Sequence, residues 1–455
     1  MHIKLDYKRT ALVGLAFLTV NAVWQLYNTE VPLILEEMIR SLLETSGNSG
    51  IIAAFPVNTV INFIMSLDNI MAIFLLPILG KMSDKTNTRF GKRMPYIIVG
   101  VIATALFLPF VPLFYTKGSL IGVIVMLFGV LVSMSIYRTP AVALMPDVTP
   151  KPLRSKANAI INLMGAAGNV TVAAFAAIVS IFAAKNGGIY YTVLFIFTAI
   201  VILIALAVLL LTVNENKLVS EMPPDIETEE ERLIREGKGK AVHASVKVSL
   251  FFILTAVFCW YMAYGCIETN FSRFAKDVLE MSGYTVPMLV ATVSALVFFL
   301  PLGIVSGKLG RKNTILLGLA VLLLCAILST FVTNHVILYI LFALIGISWA
   351  AINVNSYPMV VEMAKGGDIG KYTGIYYTFQ SAAQIITPML SGILIDVADA
   401  VFSKYIGNGL RILFPYAAIF IAAALIIMLF VKHGDSKDTD VQIFEEKLGE
   451  MNAEA

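Results

Sequence analysis

Three cysteines, four histidines and 14% charged residues are little for a chain of 455 residues, and each shortage rules something out. Cys259, Cys266 and Cys325 all fall within apolar runs, at spacings that form neither a disulfide framework nor a metal-ligand set, so they read as small apolar residues. With so few histidines there is no metal centre to assemble, and no cofactor is called for. Gly237-Lys-Gly239-Lys240 lacks the preceding strand of a phosphate-binding loop and reads as a flexible basic linker. No nucleophile turn is present either, so the chain is not read as an enzyme. The net charge of +3 is small and dispersed among short loops, which gives no sign of a nucleic-acid partner.

What fills the chain is apolar. Hydrophobic residues make up 58% and the mean hydropathy is +0.84, far from the balance of a water-soluble domain. A run of roughly 20 apolar residues crosses a hydrocarbon core. Twelve such runs are predicted, at about 10–33, 51–79, 95–115, 119–144, 157–183, 190–213, 248–272, 285–306, 313–332, 335–361, 372–395 and 411–431. The fold class is therefore an all-α polytopic membrane protein. The first run begins near Thr10 without a small-residue cleavage site after it and is read as a retained span.

Basic residues orient the spans, because positively charged loops stay cytoplasmic. With the N-terminus inside, 25 of the 33 Lys and Arg residues lie in the termini and the cytoplasmic loops. Arg40, Lys117, Lys185, Arg273, Lys276, Lys404 and Arg411 fall outside, and Arg138 lies within a span. Both termini are expected to be cytoplasmic. The one long polar interruption, 214–247, separates six spans from six and gives four segments: a bundle over 1–213, a cytoplasmic central loop over 214–247, a second bundle over 248–432 and a cytoplasmic tail over 433–455. Within the interruption, Pro223-Pro224 marks a break and Thr228-Glu-Glu-Glu231 is expected to start a short surface helix through Leu233 and Ile234.

Two cytoplasmic passages carry recognisable patterns. The loop after the second span reads Gly80-Lys-Met-Ser-Asp84-Lys-Thr-Asn-Thr-Arg89-Phe-Gly91-Lys92-Arg93. Glycine at 80 would let helix ends approach, Asp84 would accept hydrogen bonds at a neighbouring helix N-terminus, and Arg89, Lys92 and Arg93 would cage it as a conformational latch. The fourth span ends at Pro146-Asp147, with Arg154 and Lys156 after it. The second half echoes both features, with Gly307-Lys-Leu-Gly-Arg311-Lys312 after span 8 and Val361-Glu362 at the end of span 10. Gly80, Asp84, Arg89, Gly91, Lys92, Arg93, Asp147, Arg154 and Glu362 are the candidate gating residues.

These patterns resemble the major facilitator superfamily. Within it, the longer Asp84-to-Arg89 spacing, the passage Tyr137-Arg-Thr-Pro through Asp147 to Arg154-Ser-Lys-Ala-Asn158-Ala, and Glu268-Thr-Asn-Phe-Ser-Arg273 are similar to the sugar:cation symporters, the group of plant sucrose carriers and of glycoside-pentoside-hexuronide transporters. The resemblance implies twelve helices in two six-helix bundles, a single working polypeptide, a small sugar substrate and a coupling cation, in a cell (plasma or inner) membrane. The melibiose-type branch carries two acids one turn apart before the first loop. Here Ala72 to Pro77 is apolar and only Asp68 remains, one turn earlier, which favours protons over sodium.

Polar residues inside spans face a cavity or another helix. Asn21, Trp24, Gln25 and Asn28 share one face of the first span. An indole for a sugar ring and amides for its hydroxyls make them candidate substrate ligands. Trp260, Tyr261 and Tyr264 repeat the pattern in span 7, and Asn162, Asn353, Gln380 and Gln384 add polar atoms in spans 5, 10 and 11, each equally readable as helix packing. Asp68 and Arg138 are expected to pair at similar depth, with Asp68 and Glu268 as cation-coupling sites and Arg138 released to substrate on protonation. The leading expectation is a proton-coupled symporter of a glycoside or disaccharide, sucrose- or maltose-like. The alternatives are an exporter of drugs or metabolites with the same fold and a non-transporting membrane sensor or assembly protein.

Overall fold

The computed structural model describes residues 5–45, 57–182, 188–222, 240–281, 286–364 and 368–435. The elements are helices: α1 (Tyr7–Thr45), α2 (Val57–Lys85), α3 (Met94–Phe107), α4 (Phe110–Thr116), α5 (Leu120–Asp147), α6 (Arg154–Phe182), α7 (Gly188–Thr212), α8 (Glu215–Ser220), α9 (Lys240–Asp277), α10 (Val286–Leu309), α11 (Arg311–Phe331), α12 (His335–Glu362), α13 (Ile369–Ile406) and α14 (Leu413–Leu429). Among the described residues, twelve stretches are long and apolar enough to cross a membrane. Their surfaces fit that medium: Ile121, Ile189 and Leu211 are each more than 70% exposed, and apolar exposure on this scale is tolerated in lipid and not in water.

Sequence chemistry sets the ends and bends of these helices. Ser119 begins α5 by accepting the Gly122 N–H, and Asn334 begins α12 by accepting the N–H groups of Val336 and Ile337. Prolines lie inside α1, α2, α5, α10, α12 and α13, at Pro32, Pro77, Pro140, Pro146, Pro301, Pro358 and Pro388. Each removes one backbone donor and is a bending point that neighbouring helices must support.

The chain forms two compact units. One consists of Asp6–Val148 and Ile161–Glu221; the other consists of Met1–Leu5, Thr149–Ile160 and Met222–Ala455. In the first, α1 packs on α7 and α3 on α5. Close approach is bought with small residues: a Cβ at Gly168 of α6 would run into the Leu18 carbonyl of α1. In the second, α10 packs on α12 and α9 on α14, around a core holding Trp260, Phe271, Phe342 and Phe414. The beginning of α6 therefore belongs to the unit that holds the C-terminal half.

Helix enters the polar interruption from both sides. Residues Glu215–Ser220 form α8, and α9 begins at Lys240, before the expected start of the seventh span at 248. The surface helix expected at Thr228 to Ile234 lies outside the described residues. Cys259, Cys266 and Cys325 are buried and free.

Candidate functional site

The loop between α2 and α3 is held by a buried ion network. Arg93 is fully enclosed, with its Nη2 donating to Asp84 Oδ1 at 2.5 Å and its Nε to Asp147 Oδ2 at 2.5 Å. Its Nη1 donates to the Ser83 hydroxyl, which in turn donates to the Gly80 carbonyl at 2.8 Å. Burial opposes the guanidinium charge, but Asp147 and Asp84 outweigh it and push the Arg93 pKa up. A planar fork held by two carboxylates is a geometry only arginine provides.

An anion at the N-terminus of α3 is Glu215 of α8. Its carboxylate accepts the N–H groups of Lys92, Arg93 and Met94 at 2.8 to 3.1 Å, the donors that a helix start leaves unpaired. Burial pushes the Glu215 carboxyl above the usual carboxylate range, these three hydrogen bonds pull it back, and nearby Asp147 adds to the rise. Beside it, Asn216 donates to the carbonyls of Thr88 and Arg89 at 3.1 Å each. Gly91 adopts φ +112°, and a Cβ there would strike the Glu215 side chain, so glycine is required twice over. Arg89 is exposed and lies over the Phe90 ring at 4.7 Å, outside the cage expected of it. Glu215→Ala should lower the unfolding free energy of the purified protein by roughly 1–3 kcal/mol by orphaning these donors. Glu215→Gln, which keeps an accepting oxygen and is neutral, should cost less, and thermal unfolding checks the order.

A second network in the other unit has the opposite arrangement. Glu362 at the end of α12 accepts from Arg154 Nη1 at 3.2 Å and from Arg311 Nη1 at 3.1 Å. Arg311 also donates to the Lys151 carbonyl at 2.6 Å, and Arg154 to the Thr149 carbonyl at 3.3 Å. One network is a cation between two acids and the other an acid between two cations. Asn158 of α6 ties into the same unit by donating to the carbonyls of Asn353 and Val354 at 3.1 and 2.9 Å.

Of the α1 stripe, Trp24 is half-buried with Arg138 of α5 over its ring at 5.1 Å and Tyr27 packed edge-on at 5.6 Å. Asn21 donates to the Phe17 carbonyl at 3.0 Å and its amide faces Gly165 of α6. Gln25 is half-buried and Asn28 exposed. Asn162 is half-buried on α6. Asp68 lies on α2, but its side chain, and with it the expected pairing with Arg138, lies outside the described residues; one contact of Arg138 is the Trp24 ring.

In the other unit, Tyr264 stacks on Trp349 at 3.9 Å between centroids, and Tyr261 meets Trp349 edge-on at 5.2 Å while its hydroxyl donates to Asn353 Oδ1 at 3.2 Å. Trp260 is completely enclosed, which makes it a core residue in this conformation. Gln380 and Gln384 are half-buried on α13, and Glu268 is exposed on α9. Trp24 Nε1 and Gln380 Oε1 are buried polar atoms without a hydrogen-bond partner among the described residues. Sequence reasoning passed over Glu215 as part of a linker and did not single out Arg311; the matching Gly-Lys-Leu-Gly-Arg311 loop was the signal that could have found the latter.

Comparison with known proteins agrees with this architecture. A family model of the Major Facilitator Superfamily matches residues 13–327 and 288–450. The fungal MFS-type transporter ppzB of Metarhizium rileyi is 27% identical over 190 residues, a match covering 40% of this chain and 37% of that protein. Among solved structures, the E. coli fucose:proton symporter FucP superposes with a TM-score of 0.64 at 14% identity, over 94% of this chain and 100% of that one. A bacterial homologue of the iron transporter ferroportin, in an outward-facing state, gives 0.67 at 13% identity, over 93% and 99%. At such identities the likeness is one of fold. With twelve spans, paired loop networks and a family match along most of its length, the chain belongs to the Major Facilitator Superfamily of transporters.

Proposed function

We propose that this transporter carries a glycoside or disaccharide together with protons, by alternating access, with both termini on the cytoplasmic side. The observation that carries the reading is the polar and aromatic furnishing of each unit: Trp24 under Arg138 in one, and the Tyr264–Trp349 stack beside the Tyr261–Asn353 hydrogen bond in the other. Flat rings for a sugar face and amides for its hydroxyls are what carbohydrate recognition needs. The buried, unsatisfied Trp24 Nε1 and Gln380 Oε1 add a donor and an acceptor for hydroxyl groups. A fucose:proton symporter among the fold's neighbours supports the class of substrate without naming it.

In this reading the two charge networks are gates. Arg93 with Asp84 and Asp147 locks the loop after α2, and Glu362 with Arg154 and Arg311 locks the passage into α6; each must loosen once per cycle. Asp68 and Glu268 are the proposed proton sites, and Arg138 the proposed link between proton and sugar.

Uptake of labelled sucrose, maltose, glucose, xylose and fucose into proteoliposomes, under a proton gradient, a sodium gradient or neither, tests the reading. Proton-driven uptake of at least one sugar is expected, with Asp68→Asn reducing it about tenfold or more, as befits a charge whose titration is required. Sodium-driven uptake would overturn the choice of cation, and no flux under any gradient would overturn the substrate class.

A further inference from the structure

The unit holding the C-terminal half contains a cavity of about 150 Å³ lined by the Tyr264–Trp349 stack and by Met288, Ala295, Phe299 and Phe342 among others. Its wall is apolar except where Tyr264, Trp349 and Thr292 contribute, and the Thr292 hydroxyl is already occupied in donating to the Met288 carbonyl at 2.9 Å. Packed interiors hold few voids larger than a water, and an apolar cavity of this size accommodates a benzene-sized guest.

Trp349 stands at the border of two environments. Its indole meets the polar pair, Tyr261 donating to Asn353 with Tyr261 edge-on to the ring, and it also lines the cavity together with the Tyr264 ring that stacks on it. A ligand that holds a sugar against the polar pair would thus present its next substituent to an apolar hole the size of one ring. A long acyl chain does not fit such a volume, while a single aromatic group does.

We infer that the cavity receives the apolar aglycone of the substrate, so that the preferred cargo is a sugar carrying one phenyl-sized group, not a free disaccharide. This rests on the glycoside reading above and narrows it. The sugar moiety sets orientation through hydroxyl contacts, and burial of the ring supplies affinity through removal of apolar surface from water. Ala295, buried in the wall, is the position at which a larger side chain would fill the hole.

The test has two arms on the full-length protein. In the first, purified wild type and Ala295→Phe are titrated with benzene and followed by thermal unfolding. A saturable rise in melting temperature in wild type, absent in the variant, is expected; no rise in wild type, or the same rise in both, overturns the cavity as a binding site. In the second, phenyl and methyl glycosides of glucose, galactose and xylose compete for uptake of whichever sugar is transported. Phenyl glycosides should compete about tenfold more strongly or better than their methyl counterparts, and Ala295→Phe should remove that advantage while leaving methyl competition in place. Equal competition by both kinds in wild type overturns the proposal while the sugar reading stands. A benzene response with no competition by any glycoside sinks the sugar reading and the aglycone with it, and leaves a cavity for some other apolar guest. Because the wild-type comparison needs no mutant, misfolding of Ala295→Phe would not shield the inference.

Discussion

Arg93→Ala should all but abolish transport and should destabilise the purified protein by about 3–5 kcal/mol, the range for removing one partner from a buried charged set. The reason lies in what stays behind. Asp84 and Asp147, each less than 10% exposed, both bond to this one guanidinium at 2.5 Å. Without it two carboxylates remain close together in a low-dielectric site, both deprived of this guanidinium, and Ser83 loses a donor as well. Arg93→Lys tests geometry separately from charge. An ammonium can approach one carboxylate well but cannot bridge two with fixed in-plane donors, so uptake should still fall by about tenfold or more. Thermal unfolding and initial uptake rates, measured on the same preparations, check both variants; near-normal activity in Arg93→Lys would show that only the charge matters.

Glu362→Gln should have the second-largest effect. It leaves the guanidinium groups of Arg154 and Arg311, respectively 6% and 1% exposed, facing a neutral amide where they had shared a carboxylate. A cost of several kcal/mol to this closed arrangement follows from the same rule, and uptake should fall on the order of tenfold or more. The effect should also be strongly non-additive. In a double-mutant cycle of Arg154→Ala with Glu362→Ala, the second change should cost much less than the first, with a coupling of roughly 1–3 kcal/mol. Simple additivity would mean the contact at 3.2 Å contributes little.

The two networks show where sequence is legible and where it is not. Twelve spans could be read directly because hydrocarbon thickness imposes one length on apolar runs. Their ends could not, because helices continue past the lipid: α1 runs on to Thr45 through Glu36 and Arg40, which pair at 2.8 Å one turn apart. The α9 helix likewise starts at Lys240, in residues whose polarity marked them as loop. Asp84, Arg93 and Asp147 were readable as a charged set because like motifs recur in both halves. Glu215 was not, since its partners at 92–94 lie more than 120 residues earlier in the chain and a lone Glu in a polar interruption gives no periodic signal. The same holds for Trp24 and Arg138. Each stood out as unusual within a span, but that the indole would face the guanidinium depends on helix rotation, which periodicity alone does not fix.

Coupling of sugar to proton is read directly from the external pH of weakly buffered, de-energised proteoliposomes when a transported sugar is added. An immediate alkalinisation is expected that tracks sugar entry, that is abolished by a protonophore and that is absent in Asp68→Asn. Sugar entry at an undiminished rate with no change in external pH would contradict that coupling.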